Sequence, residues 1–223
     1  MSEVLSAPGT MLCAPLTKDV IYRRLAPESG HCYLTFDDGP DPRWTPAVLE
    51  ALADAGVVAT FFVVGRLAIA HAPLVRVTRA AGHVVGCHSF GHHHPWLLTP
   101  DRARREVVDG ANAVADVLGE RPQWYRPPHG RLNRSIREAA HEAGLRVALW
   151  SVSAIDWGPF ASPGRILSRL RMLGAGDIVL LHDGPLRHNR PDQTLQVLPD
   201  VLAGLAKHGP PPAALPTIVT MEE

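Results

Sequence analysis

A chain of 223 residues, 46% hydrophobic and 20% charged, is long enough for one packed domain and too apolar for a disordered one. Its 22 lysines and arginines balance 22 aspartates and glutamates, so no net field draws nucleic acid or an anionic membrane. No apolar run reaches the roughly 18 residues of a membrane-spanning helix, and three widely spaced cysteines (Cys13, Cys32, Cys87) make no disulfide framework.

The first thirty residues carry an early acid, Glu3, several prolines and no apolar run of signal-peptide length. They read as an irregular extension of a cytoplasmic protein, or of a secreted one if a leader has been trimmed. Strand-like runs then fall at 31–36 and 57–64, with a helix predicted over 45–55 between them. A helix over 68–81 leads to the run 83–88. The clearest helix follows Thr99-Pro100-Asp101, where threonine can cap, proline suits the first turn and aspartate favours the positive end. Its apolar residues Ala103, Val107, Ala111, Val114 and Leu118 share one helical face. Runs at 124–126, 146–152, 177–182 and 217–221 complete seven strands, separated by helices over 135–143, 163–173 and 194–208. Gly56, Gly82 and Gly144 stand just past three of the helices, where a left-handed residue ends a helix. Pro210–Pro212 reads as a stiff connector.

The runs are β-branched or aromatic and apolar on both faces, as parallel strands buried on both sides are. Alternation with helices means a single-domain parallel α/β sheet with right-handed crossovers, either a small barrel or an open doubly wound sheet. Neither a GxGxxG nor a GxxxxGK[ST] motif follows a strand, which argues against nucleotide binding.

Ionisable residues gather at the carboxyl ends of five strands. Asp37 and Asp38 end the first in TFDDGP, and His88 and His92 follow the third in HSFGH. Arg126 ends the fourth in RPPHG, Asp156 and Trp157 follow the fifth, and His182 ends the sixth in LLHDG. That edge is where parallel α/β folds carry active sites. A lone Asp-Asp-Gly is usually a turn and a lone HxxxH usually two surface histidines, but five such coincidences on one edge are improbable. Two histidines four apart with a carboxylate make a three-ligand set for a divalent metal, and a second carboxylate and a further histidine supply a base and an acid. Metal, base and acid across a cleft describe metal-assisted hydrolysis of a carbonyl or phosphoryl compound.

At these residues the chain resembles the polysaccharide deacetylase family, the NodB homology domain of carbohydrate esterase family 4. TFDDGP, HSFGH, RPPHG, the Asp-Trp pair and LLHDG resemble its five motifs in order, over about residues 31–221, leaving 1–30 as an extension. The resemblance implies a distorted (β/α)7-type barrel and a bacterial, metal-dependent hydrolase that removes N-acetyl groups from an amino sugar. It implies Asp37 as general base, Asp38, His88 and His92 as ligands, and Arg126 orienting the base. His182 would be the general acid, tuned by Asp156, and the His129 N–H would help hold the oxyanion. The implied cofactor is one divalent ion, zinc foremost, with cobalt, nickel and manganese as alternatives. Trp157 and Trp96 are the aromatics suited to a sugar ring. Where the family often carries an acid three residues before Asp156 the chain has Ser153, and where tyrosine commonly follows Arg-Pro-Pro it has His129. His93 and His94 are expected beside the metal but not on it, Cys87 is expected to turn away as buried filler, and Arg187 and Arg190 lie in a loop that would sit at the mouth. No protein partner is implied. Two other readings use the same residues: an amidohydrolase acting on a small non-carbohydrate amide, and a non-catalytic carbohydrate-binding relative.

Overall fold

The computed structural model describes residues 21–184 and 186–217. Its strands are β1 (Ile21–Tyr22), β2 (Cys32–Asp37), β3 (Thr60–Val63), β4 (Val84–Cys87), β5 (Trp124–Tyr125), β6 (Arg146–Ala148), β7 (Val152–Ser153), β8 (Ile178–His182) and β9 (Pro212–Ala213). Its helices are α1 (Thr45–Asp54), α2 (Gly65–Ala70), α3 (Ala72–Ala80), α4 (Pro100–Leu118), α5 (Arg134–Glu142), α6 (Pro163–Leu170) and α7 (Pro191–His208). The strands pair in the order β1-β6-β5-β4-β3-β2-β8-β7, with β9 beside the start of β2, and every ladder is parallel. The chain itself bridges the two ends of this curled sheet. Residues 149–151 run from β6 into β7, with the Leu149 N–H bonded to Tyr22 O at 2.7 Å and the Ser151 N–H to Ile178 O at 3.0 Å. The result is a single-domain, distorted barrel of parallel strands: the alternating pattern predicts the parallel α/β sheet, and of its two forms the structure takes the barrel that the resemblance implies.

Side-chain alternation divides the core. On β2, Leu34 and Phe36 face outward into a cluster with Val48 and Leu52 of α1 and Leu198 and Leu202 of α7. Cys87, Tyr125 and Val147 face α4 and α5, where Val107, Ala111, Ile136 and Ala140 meet them. Tyr33, Phe62, Trp124, Ala148 and Ile178 pack together with Leu215 in a third cluster. With period two, Thr35 and Asp37 share the face of Tyr33, and Leu180 and His182 that of Ile178. Apolar residues fill one end of the barrel and polar residues ring the other.

Four local expectations change. The run at 146–152 is two short strands, because its middle turns from the β5–β1 side of the sheet to β8. The helix at 68–81 breaks at His71 (φ −124°, ψ 37°), since Pro73 has no N–H to continue it. Ile21–Tyr22, expected to be irregular, is a sheet strand, and Pro212 of the expected connector opens β9. The strand expected over 217–221 lies outside the described residues apart from Thr217, which is not in a strand. The predicted caps are present: the Thr99 side chain accepts from the Arg102 N–H, and Gly56, Gly82 and Gly144 take left-handed φ of 64°, 89° and 71° just past α1, α3 and α5.

Candidate metal centre and cleft

Parallel register brings the strand ends to one level. Asp37 pairs with His182 across β2 and β8 and with Phe62 across β2 and β3, and Cys87 pairs with Tyr125. One residue past each end, the His88 N–H bonds Val63 O at 2.8 Å and the Arg126 N–H bonds Cys87 O at 2.9 Å.

Arg126 is fully buried, and each of its three guanidinium nitrogens is hydrogen-bonded. Nη1 donates to Asp37 Oδ1 at 2.7 Å and Thr35 Oγ1 at 2.6 Å, Nε to Ala148 O at 3.1 Å, and Nη2 to Leu149 O at 3.0 Å. The Phe62 ring lies 4.1 Å beneath the guanidinium. A buried charge held this way is a fixed support, and it locks the rotamer of the Asp37 carboxylate.

Asp38, the next residue, turns the other way with φ 74°. Its Oδ1 lies 2.9 Å from His92 Nε2 and 3.3 Å from His88 Nε2, yet this buried oxygen accepts no hydrogen bond. His88 Nδ1 bonds Arg126 O at 2.7 Å, so that nitrogen carries the proton and Nε2 presents a lone pair. The Asp38 oxygen and the Nε2 atoms of His88 and His92 therefore converge on one point, and once the two rings are neutral they make with the carboxylate a three-donor set of the kind a divalent cation takes. Burial opposes the Asp38 carboxylate, but the His88 and His92 rings more than offset it and hold its pKa well below the usual carboxylate range. Asn189 donates to the other oxygen, Oδ2, at 2.7 Å.

On the far side, His182 Nδ1 lies 2.8 Å from Asp156 Oδ1, and Asp156 Oδ2 accepts from the His182 N–H at 2.8 Å and Thr194 Oγ1 at 3.0 Å. Burial disfavours the charged ring, but the Asp156 carboxylate and its hydrogen bond outweigh this and lift the pKa to about 9. His182 Nε2 is 4.0 Å from Asp38 Oδ2, so its free nitrogen faces the metal-ligand corner.

These groups open into a cleft of about 800 Å³ lined also by His94, His129, Arg131, Trp150, Ile155, Trp157, Leu180 and Asn189. Trp157 and His129 are thus in the cleft. Trp96 is outside the lining, 5.7 Å from His94 and beneath Arg131. Among the described residues no acceptor takes the His129 N–H. Of the neighbouring histidines, His93 pairs with Glu106 at 2.7 Å, while His94 stacks on His129 at 4.8 Å; neither joins the ligand set. Cys87 is buried toward α4, and burial raises its thiol to about 12. Arg187 and Arg190 are exposed outside the lining.

Among the described residues, the five non-glycine positions with positive φ all belong to this site: Asp38, Ser89, His92, His129 and Ile155. Each is strained by roughly 1–3 kcal/mol, and such strain collects where function needs an aim that regular backbone does not give. Three contributors escape sequence reading. Asn189 reaches Asp38 over 151 residues, Thr194 reaches Asp156 from α7, and Glu106 holds the ligand loop by accepting from the Gly91 N–H. Only the position of Asn189 shortly after LLHDG hints at a role.

Comparison with known proteins agrees with this geometry. The polysaccharide deacetylase family model matches residues 25–148. A peptidoglycan-N-acetylglucosamine deacetylase of Bacillus cereus is 35% identical over 181 residues, covering 79% of this chain and 82% of the relative. A chitooligosaccharide deacetylase of Bradyrhizobium sp. is 36% identical over 189 residues, covering 79% and 85%. Among solved structures, the family 4 carbohydrate esterase from Streptomyces lividans in complex with acetate superposes with a TM-score of 0.74 at 34% identity, covering 83% and 91%.

Proposed function

The chain belongs to the polysaccharide deacetylase family, and on that premise we propose that it hydrolyses the N-acetyl group of an amino sugar to acetate and the free amine. The observation that carries the reading is the convergence of Asp38, His88 and His92 on one point, with Asp37 on one side and His182 on the other. A divalent ion held by those three residues supplies Lewis acidity toward the acetyl carbonyl and lowers the pKa of water. Two imidazoles and one carboxylate suit zinc, which we assign as the native ion.

The chain's own residues do the rest. Asp37, oriented by Arg126, takes the proton of the attacking water. The His129 N–H is the backbone donor for the oxygen that gains charge, an interaction worth about 3–4 kcal/mol when such a donor is deleted. His182 gives its proton to the amine, which leaves poorly as an anion. Asp156 occupies Nδ1, so that proton sits on Nε2, the nitrogen facing the ligand corner.

The test is acetate release from N-acetylglucosamine oligomers and small N-acetylated sugar conjugates, with chelator and with zinc restored. Release that stops with chelator and returns with zinc is expected. One zinc bound per chain with no acetate from any substrate would overturn the reading.

A further inference from the structure

One side of the cleft is built from groups that the hydrolysis does not use. Arg131 lines the cleft, and its guanidinium carbon lies 4.7 Å above the Trp96 ring. Trp96 is 62% exposed, a large cost in bare aromatic surface for a residue with no core role. Beside it, His94 contacts Trp96 edge-on and stacks on His129.

Among the described residues, no carboxylate lies within ion-pair distance of Arg131. The cleft's two carboxylates are engaged, Asp37 by Arg126 and Asp38 by its ligand partners and Asn189. The segments that frame the mouth, 93–98, 129–133, 150–161 and 186–190, contain one acid, Asp156, which is buried on His182, and three arginines, Arg131, Arg187 and Arg190. Of these only Arg131 belongs to the cleft lining, Arg187 and Arg190 lying outside it, so the Trp96 side of the cleft carries one positive charge with no acid beside it.

We propose that Arg131, seated on Trp96, is a subsite for an anionic substituent of the glycan, a carboxylate or phosphate on or next to the sugar being deacetylated. The proposal rests on the deacetylase reading and names its substrate class. Stacking holds the guanidinium plane and leaves its edge N–H groups free, the geometry that grips a carboxylate or phosphate with two parallel bonds. A neutral glycan would leave this cation without a partner.

The test compares three glycans: a neutral N-acetylglucosamine tetramer, a tetramer alternating N-acetylglucosamine with N-acetylmuramic acid (which carries a lactyl carboxylate), and an N-acetylglucosamine dimer phosphorylated at its reducing end. The wild type is expected to favour at least one anionic glycan over the neutral one by about 3- to 10-fold in kcat/KM, less so as salt rises. The favoured glycan identifies the anion. Arg131→Gln should bring the ratio to about one through KM, and Arg131→Lys should keep part of it. The same ratios are read as Kd by calorimetry on the zinc-loaded Asp37→Asn protein. Equal treatment of all three glycans by the wild type, or a preference that survives Arg131→Gln, would overturn the proposal. Absence of acetate from every glycan would overturn the deacetylase reading, and the Kd ratios would still judge the subsite.

Discussion

Asp37 and Asp38 are adjacent, equally buried and chemically identical, and their neighbours give them different work. Asp37 meets a fixed guanidinium on one oxygen, whereas Asp38 meets two imidazole nitrogens that offer lone pairs. Replacing Asp37 with asparagine should therefore lower kcat by about 10²- to 10⁴-fold, as loss of a general base does. Zinc should still bind at one ion per chain, measured by titration against a chromophoric chelator. Full activity in that variant would remove Asp37 from the proton path. Asn189 offers a finer test, because it touches Asp38, the proposed ligand, through the oxygen opposite the histidines. Outer partners of this kind are typically worth 10- to 100-fold in metal affinity. Asn189→Ala should weaken zinc by about tenfold or more in the same titration, and unchanged affinity would show that Asn189 only fastens its loop.

At the scale of elements, α4 does more than cover the sheet. Phe90 N–H donates to Glu106 O at 2.8 Å, the Glu106 carboxylate accepts from Gly91 N–H at 2.8 Å, and Gly110 lets the ligand loop lie against the helix. A Cβ on Gly110 would meet Ser89 C at 2.6 Å and Phe90 N at 2.8 Å, both backbone. Gly204, in α7, has nothing within 4 Å of such a Cβ. Helix propensity alone makes both substitutions by alanine stabilising, by about 1 kcal/mol. The packing reverses the sign at one of them: Gly204→Ala should raise the melting temperature, and Gly110→Ala should lower it and weaken zinc. A stabilising Gly110→Ala would mean that the loop gives way freely and α4 does not brace it. The same contrast explains what the sequence makes legible. Asp37, Asp38, His88, His92, Arg126 and His182 stand at the ends of apolar runs in short motifs, and parallel register turns that local signal into a shared edge. Asn189, Thr194 and Glu106 act over long sequence separations through loops and helix faces, and no periodicity marks them. The break at His71 has a local signal in Pro73, but the split of 146–152 depends on pairing with a strand 27 residues away in sequence, so an uninterrupted apolar run cannot show it.

The whole molecule should report its metal site through the pH dependence of its stability. Burial, with the charges of Asp38 and Asp37, raises Asp183 to about 7, and the Asp156 pairing lifts His182 to about 9 against its burial. In both cases the folded, metal-free chain holds a proton more tightly than the unfolded chain, so stability from each group is complete below the unfolded pKa and lost as pH rises through the folded one. For Asp183 that loss runs from about pH 4 to 7, and for His182 from about 6.5 to 9. Asp38 acts with the opposite sign, but its depressed pKa confines the effect to stronger acid. Below about pH 6.5, His129, lowered to about 4 by burial and the neighbouring rings, and His83, lowered by burial, act with the opposite sign and offset the Asp183 loss. The melting temperature in chelator should therefore fall from pH 7 to pH 9. Zinc reverses the trend, because a histidine ligand binds it only as the neutral imidazole, so its affinity grows as pH rises. Zinc at 100 times its Kd adds about 2.7 kcal/mol, roughly 5–10 °C for a domain of this size. Melts followed by circular dichroism at pH 5, 7 and 9 should give zinc and chelator curves that separate progressively. Parallel curves would mean that zinc binding is not linked to histidine deprotonation, and a chelator curve that rises from pH 7 to pH 9 would mean that His182 does not hold its proton in the folded chain.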